Sequence, residues 1–167
     1  MKPKFNRTNK NVDWARWTWN PVYGCKHGCE YCYARDIDKR FFGGRFDEPR
    51  LYEERLNAPF NTPLPETDDI WDKLVFVCSM SDLFGEWVPQ GWIYKVLEVI
   101  AQAKDWTFCL LTKNPKRMTE FQFPLNVWVG ATVDILSRTS VAEHALYETN
   151  AAVKFISCEP LLEAILR

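Results

Sequence analysis

The 167-residue chain has no apolar run approaching the length of a membrane span, which excludes a transmembrane helix as its organising element. Its start, MKPKFNRTNK, lacks the apolar stretch of a signal peptide and is polar and basic instead, so the chain reads as cytoplasmic. A dominant charge is missing too: 21 Lys and Arg stand against 22 Asp and Glu, for a formal net charge of −1. The balance is uneven along the chain, however. Residues 1–50 hold eleven basic and six acidic residues, and the remainder holds ten and sixteen. An excess of five is too small to establish a nucleic-acid partner. Residues 1–16 therefore read as a solvated basic N-terminal arm, with Trp14, Trp17 and Trp19 packed on the domain that follows. Six cysteines in a cytoplasmic chain suggest thiols, metal ligands or core residues before disulfides.

What the chain does have is bulk. Nearly half is apolar, and eight Trp, eleven Phe and six Tyr supply packing material for one substantial core. Apolar runs recur in a regular order. KLVFVCS (73–79), WTFCLLT (106–112), NVWVGAT (126–132) and AVKFISC (152–158) read as strands buried on both faces. Between the first two, Ile93, Val96, Leu97 and Ile100 recur at helical spacing. Asn114-Pro115 reads as the cap and first turn of a short helix. Asp134 reads as the cap of another, carrying Val141, Ala142, Ala145 and Leu146, and LLEAILR (161–167) as a last helix. With WTWNPVYG (17–24) as a first strand and EYCYARDIDKRFF (30–42) as a first helix, five βα units follow one another. That alternation predicts a single α/β domain over residues 17–167 with a parallel sheet. Residues 43–72, rich in Gly, Pro, Asn and charge, read as an irregular insertion.

Each strand turns polar at its carboxyl end, the edge where parallel α/β sheets and barrels bind ligands. The ends carry Ser79, Ser81 and Asp82, then Lys113, then Thr132 and Asp134, then Glu159. The stretch GCKHGCEYCYA follows the first strand and so falls on the same rim. It holds Cys25, Cys29 and Cys32 in the pattern Cys-x3-Cys-x2-Cys, with no fourth cysteine nearby.

Three thiolates are one short of a closed zinc site. His27 would be strained reaching the same metal from within so tight a loop, and reads as a surface residue. Cys78, Cys109 and Cys158 sit in strand-like contexts and read as small core residues. A cube-shaped iron–sulfur cluster with one iron left without a protein ligand accounts for the deficit directly, and that iron is then open to a small molecule.

The cysteine pattern, with Tyr31 just before its last member, resembles the cluster motif of the radical S-adenosylmethionine (SAM) superfamily. Together with VCSMSDLFG, LLTKNPKR, VWVGATV and ISCEPLL, it resembles a phage-associated radical-SAM-like family of largely unassigned function. The resemblance implies a partial (βα) barrel of five to six parallel units. It also implies a [4Fe–4S] cluster on Cys25, Cys29 and Cys32, SAM on the open iron, an external electron donor and reductive cleavage to a 5′-deoxyadenosyl radical.

By the same resemblance, backbone around Tyr31 lies near the adenine. Ser79, Ser81 and Asp82 stand where the superfamily meets the methionyl amino group, commonly through a Gly-Gly-Glu stretch that this chain lacks. Lys113 either pairs with the SAM carboxylate or an anionic substrate, or is a solvated lysine beside Lys116 and Arg117. Thr132 and Glu159 are rim candidates for ribose or substrate hydroxyls, although Glu159 could equally cap a helix. Nucleic acid and peptide remain open as substrates. The superfamily's sixth strand is not readable here, so the fifth is expected to present an edge that invites a second copy or chain. The alternative is a non-catalytic module stapled by zinc or a cluster, phage-encoded and acting on a host protein or nucleic acid in the host cytoplasm.

Overall fold

A computed structural model describes residues 2–8, 12 and 14–165. The chain opens with β1 (Asn6–Arg7), followed by β2 (Trp17–Trp19), β3 (Val22–Tyr23) and helix α1 (Tyr33–Phe41). β4 (Arg50–Leu51) and the short α2 (Ala58–Asn61) lie within the irregular stretch, among 3-10 turns. The regular part then alternates: β5 (Leu74–Val77), α3 (Gln90–Gln102), β6 (Thr107–Thr112), β7 (Val127–Thr132), α4 (Thr139–Glu148) and β8 (Val153–Ser157).

A six-stranded sheet in the order β1-β2-β5-β6-β7-β8 forms the centre of this mixed α/β domain. The five strands from β2 to β8 are parallel, and β1 pairs antiparallel on β2. Alternation along the strands separates two faces. Val75, Val77, Phe108, Leu110, Val127 and Val129 pack against Ile93, Val96 and Ile100 of α3 and Ala142 and Leu146 of α4. Leu74, Phe76, Cys109 and Trp128 face the other way, with Trp14 and Ala15. Both long helices thus cover one face, and the smaller cluster around Leu74 and Cys109 covers part of the other. Among the described residues no helix is long and apolar enough to cross a membrane.

Several local expectations need correction. WTWNPVYG is two strands, because Pro21 cannot donate to a ladder and Asn20 turns the chain away. β3 then pairs antiparallel with β4 in a separate sheet. The first helix begins at Tyr33, with Cys29 and Cys32 in the turn ahead of it. Asn114 does not cap its segment, which is a 3-10 turn over Pro115–Glu120; its Nδ2 donates to Phe84 O at 3.0 Å. Asp134 does not cap α4, which starts five residues later.

The stretch from Leu161 to Ile165 is not helical, because Leu162 N donates to Asp134 O at 2.9 Å and ties it to the rim. Leu166 and Arg167 lie outside the described residues, as do Met1, Asn9, Lys10, Asn11 and Asp13 of the arm. The rest of that arm is docked through Phe5 and Ala15, while Lys2, Lys4, Asn6, Arg7 and Arg16 stay exposed. Phe5 is buried against Trp17, Trp19, Trp106 and Phe108, which converts the first residues into part of the core.

The strand β8 is the sheet edge among the described residues, and its Val153 and Ile156 are exposed. Phe108 stands at the opposite extreme, fully buried between β5 and β7. Phe108→Ala should destabilise the domain by about 3–5 kcal/mol, from lost burial plus the cavity left behind. Leu125→Ala, at an 89% exposed position, should stay within about 0.5 kcal/mol. Urea unfolding of the two variants beside wild type checks the contrast.

Candidate functional site

The cysteine loop starts at a forced position. Gly24 has φ +94°, and a Cβ there would come within 2.9 Å of Phe46 O and 3.1 Å of Glu48 O. Gly24 N donates to Met80 O at 2.9 Å, Ser81 Oγ donates to Gly24 O at 2.6 Å, and Cys25 N donates to Phe46 O at 2.7 Å. The loop is therefore wedged between the turn after β5 and the 45–49 segment. Gly28, at φ +72°, turns it again before Cys29. Cys32 N then donates to Cys29 O, and Asp36 N to Cys32 O, which starts α1.

Asp82 locks the loop from below. It is buried, and its carboxylate accepts from Thr112 Oγ1 at 2.7 Å, Lys113 N at 2.9 Å, Phe84 N at 3.0 Å and His27 Nε2 at 2.6 Å. His27 is consequently an anchor rather than a surface residue. Its ring also meets Trp87 edge-on at 4.8 Å. The neighbouring serines serve the same end: Ser79 Oγ and Asn20 exchange hydrogen bonds at 3.1 and 3.2 Å, and Asn20 Oδ1 accepts from Met80 N at 2.9 Å. Tyr33 OH donates to Ser79 O at 2.6 Å.

A second charged knot lies beside the first. Asp134, buried just past β7, accepts from Arg138 Nη1 at 2.6 Å, Lys113 Nζ at 3.2 Å and Tyr31 OH. Burial alone would raise this carboxyl's pKa, but the hydrogen bonds and the two cations outweigh it and hold it below the ordinary 3.8. The Tyr31 phenol is pushed upward, by burial first and by Asp134 second. Lys113 is thus shared: its backbone serves Asp82, its ammonium serves Asp134, and the ammonium lies 5.2 Å from the Tyr31 ring centre.

His27, Tyr31, Tyr33, Ser79, Ser81, Asp82 and Lys113 border one pocket of about 440 Å³ at the carboxyl ends of the parallel strands, to which Asp134 is tied through Tyr31 and Lys113. Its lining includes every residue expected from the sequence: Cys25, Cys29 and Cys32, Tyr31, Ser79, Ser81, Asp82, Lys113, Thr132 and Glu159. Trp14, Phe76 and Leu111 give it an apolar wall. Burial pushes the Cys25 thiol up to about 12.

Cys78 also borders the pocket but is buried in the main core; Cys109 is buried in β6, and Cys158 is partly buried against the core. Among the described residues, no three His, Cys, Asp or Glu side chains close on a point as a single-ion site would require. Sequence reading missed the roles of Asn20, His27 and Arg138, and placed Asp134 at a polar strand end but read it as a helix cap. The available signal was the repeated arrangement of an aspartate just past a strand end, in SMSD and again in ATVD.

The two aspartates predict different defects. Asp82→Ala strands four donors in a buried place and should cost about 3–5 kcal/mol, read by thermal or urea unfolding. Asp134 has a depressed folded pKa, so its contribution is complete above the ordinary carboxylate range. It fades as pH falls through 3.8 and on through the depressed value. Between about pH 6 and pH 3, the melting temperature should therefore drop more steeply for wild type than for Asp134→Asn. Parallel pH profiles would remove Asp134 as the source.

Comparison with known proteins adds one finding. No curated protein and no solved structure matches the chain. A family model described as "Protein of unknown function (DUF5131)" matches residues 9–167, which is nearly the whole sequence, and the chain belongs to that family.

Proposed function

We propose that the protein is a radical-SAM-type iron–sulfur enzyme, with a [4Fe–4S] cluster on Cys25, Cys29 and Cys32 and SAM beside it in the pocket. The observation that carries this reading is the convergence of the three thiols and four polar strand ends on one pocket. The donor set fits. Three soft, partly exposed thiols suit iron–sulfur or zinc chemistry, and His27, the fourth candidate in the loop, is already bonded to Asp82. When bound, such a cluster supplies one donor-derived electron that splits SAM into methionine and a 5′-deoxyadenosyl radical, which takes a hydrogen from substrate.

The chain's own residues orient and shield. Asp82, Ser79 and Ser81 hold the loop from which the thiols project. The α1 N-terminus at Cys32 favours negative charge at that end of the pocket. With Asp82 occupied by four internal donors, the carboxylate left to meet the SAM amino group is Glu159. It is exposed, borders the pocket, and has no hydrogen bond or ion pair among the described residues. Thr132 and Ser157 present hydroxyls beside it, and the Trp14–Phe76 wall suits an adenine face. The sequential order from β2 to β8, with α3 and α4 on one face, supports an open (βα) barrel segment. A cytoplasmic setting with a reducing partner follows from the same reading.

A rival reading makes the metal a mere staple. It is disfavoured because the loop is already held by Gly24, Ser81 and the His27–Asp82 bond. Reconstituted without oxygen, the protein should carry about four irons and four sulfides per chain, the stoichiometry of the cube. Both should be lost when Cys25, Cys29 or Cys32 becomes Ala. With SAM and a reductant it should release methionine and 5′-deoxyadenosine. Glu159→Gln should weaken SAM binding roughly ten- to a hundred-fold with iron content unchanged. One tightly bound zinc with no acid-labile sulfide would establish the staple instead.

A further inference from the structure

A second, larger cavity of about 850 Å³ lies between the N-terminal residues, α1 and the Arg50–Arg55 segment. It shares a wall with the cysteine pocket. Val12, Tyr33 and Ser79 border both, and the Tyr33 OH–Ser79 O hydrogen bond is part of that partition.

Its electrostatics differ from those of the whole chain, whose net charge is −1. Lys2, Lys4, Arg7, Arg50 and Arg55 line it, and among the described residues none is paired with a carboxylate. The nearby acids are neutralised elsewhere: Glu48 pairs with Arg45, and Glu53 with Lys95. The one carboxylate in the lining, Asp38, is buried and holds the Tyr23 hydroxyl at 2.7 Å. Five cations around a concave surface make a site for a polyanion.

The same walls carry ring faces open to solvent. Tyr33 is 53% exposed and Phe42 is 62% exposed, and both border the groove. Tyr52 is held on its other side by the Arg55 guanidinium at 3.9 Å, which Asn20 O fixes in turn at 3.0 Å. Cations interleaved with exposed aromatic faces are the means by which proteins hold single-stranded nucleic acid: phosphates on the charges, bases stacked on the rings. An acidic peptide would satisfy the cations and leave the rings uncovered.

We infer that this groove binds single-stranded nucleic acid and presents it at the cysteine pocket across the Tyr33–Ser79 wall. As a statement about substrate class this rests on the enzyme reading above; as a binding surface it does not require the cluster.

The test uses the full chain without added metal, titrated into fluorescent single strands of about 12 nucleotides, one RNA and one DNA, followed by anisotropy. Binding should weaken with salt, by about 0.7 logarithmic units per phosphate contact for each decade of salt. Replacing the exposed Lys2 and Lys4 together by Ser should flatten that slope by about 1.4. Phe42→Ala should weaken binding about ten-fold or more through lost stacking. Whichever strand binds more tightly identifies the natural polymer. Absence of saturable binding at low salt would overturn the inference. So would polyglutamate displacing the probe as well as an unlabelled strand while Phe42→Ala binds like wild type, which would assign the groove to acidic peptides. Because these measurements need no cluster, a negative result leaves the SAM experiments standing, and a failed reconstitution leaves the groove standing.

Discussion

The buried carboxylate of Asp82 is the point on which the rim is assembled. One side chain accepts from its own turn at Phe84 N, from the end of β6 through Thr112 and Lys113, and from the cysteine loop through His27. A buried carboxylate is tolerated only when its lone pairs are filled, so these three segments must meet there for the domain to be stable. The backbone bends to make it happen. Cys78, just past β5, sits at φ +59°, a left-handed conformation that costs an ordinary residue roughly 1–2 kcal/mol. Its N–H is taken by Trp19 O at 2.7 Å and its carbonyl by Ser81 N at 2.9 Å, which fixes the turn that carries Asp82 inward. Strain in the chain and satisfaction of the charge are two sides of the same arrangement.

The strands could be read because burial on both faces makes β5, β6 and β7 nearly continuous apolar runs. The helix α3 could be read because its buried positions fall at 93, 96, 97 and 100. The rim could be read in outline, since a polar switch at the end of an apolar strand is a local signal. What escaped was side-chain pairing at long range. Tyr31 reaches Asp134 across 103 positions and His27 reaches Asp82 across 55, and neither contact leaves any trace in local periodicity. Asp134 illustrates the error most clearly. An acid placed ahead of a helical pattern reads as a cap, but here two cations and a phenol compete for it and win. The docked arm escaped for a similar reason: Phe5 lies in a basic, polar stretch whose composition conceals a single core residue.

The two aspartates also explain how a pocket lined by thiols can exist without collapsing. Thiols are weak hydrogen-bonding groups and supply little to hold a loop in place. The loop is instead fixed by harder contacts on either side of them, with Gly24, Ser81 and His27 at one end and Tyr31–Asp134 at the other. Cys25 and Cys29 stand between these anchors and Cys32 directly follows Tyr31, and none of these fixing contacts uses a thiol. Their sulfur atoms remain available to whatever occupies the pocket.

The far wall of that pocket depends on a different constraint. Ser157 ends β8 and Glu159 lies two residues beyond it, at the sheet edge, where β7 is the only neighbouring strand among the described residues. An edge strand held by backbone pairing alone would fray. Here the far edge of the Phe155 ring sits over Gly130 of β7, so close that a Cβ on Gly130 would fall 2.3 Å from Cζ. The missing side chain lets the ring lie against the strand, and the pairing continues beyond it through Val133 N to Ser157 O at 2.9 Å. Leu162 N reaching Asp134 O then returns the chain to the rim on the other side of Glu159. The exposed carboxylate at 159 is therefore held between two fixed points, one set by a glycine and the other by the backbone of the residue that anchors Tyr31. Asp82 is locked by four donors, whereas Glu159, on the same pocket, has no hydrogen bond or ion pair among the described residues.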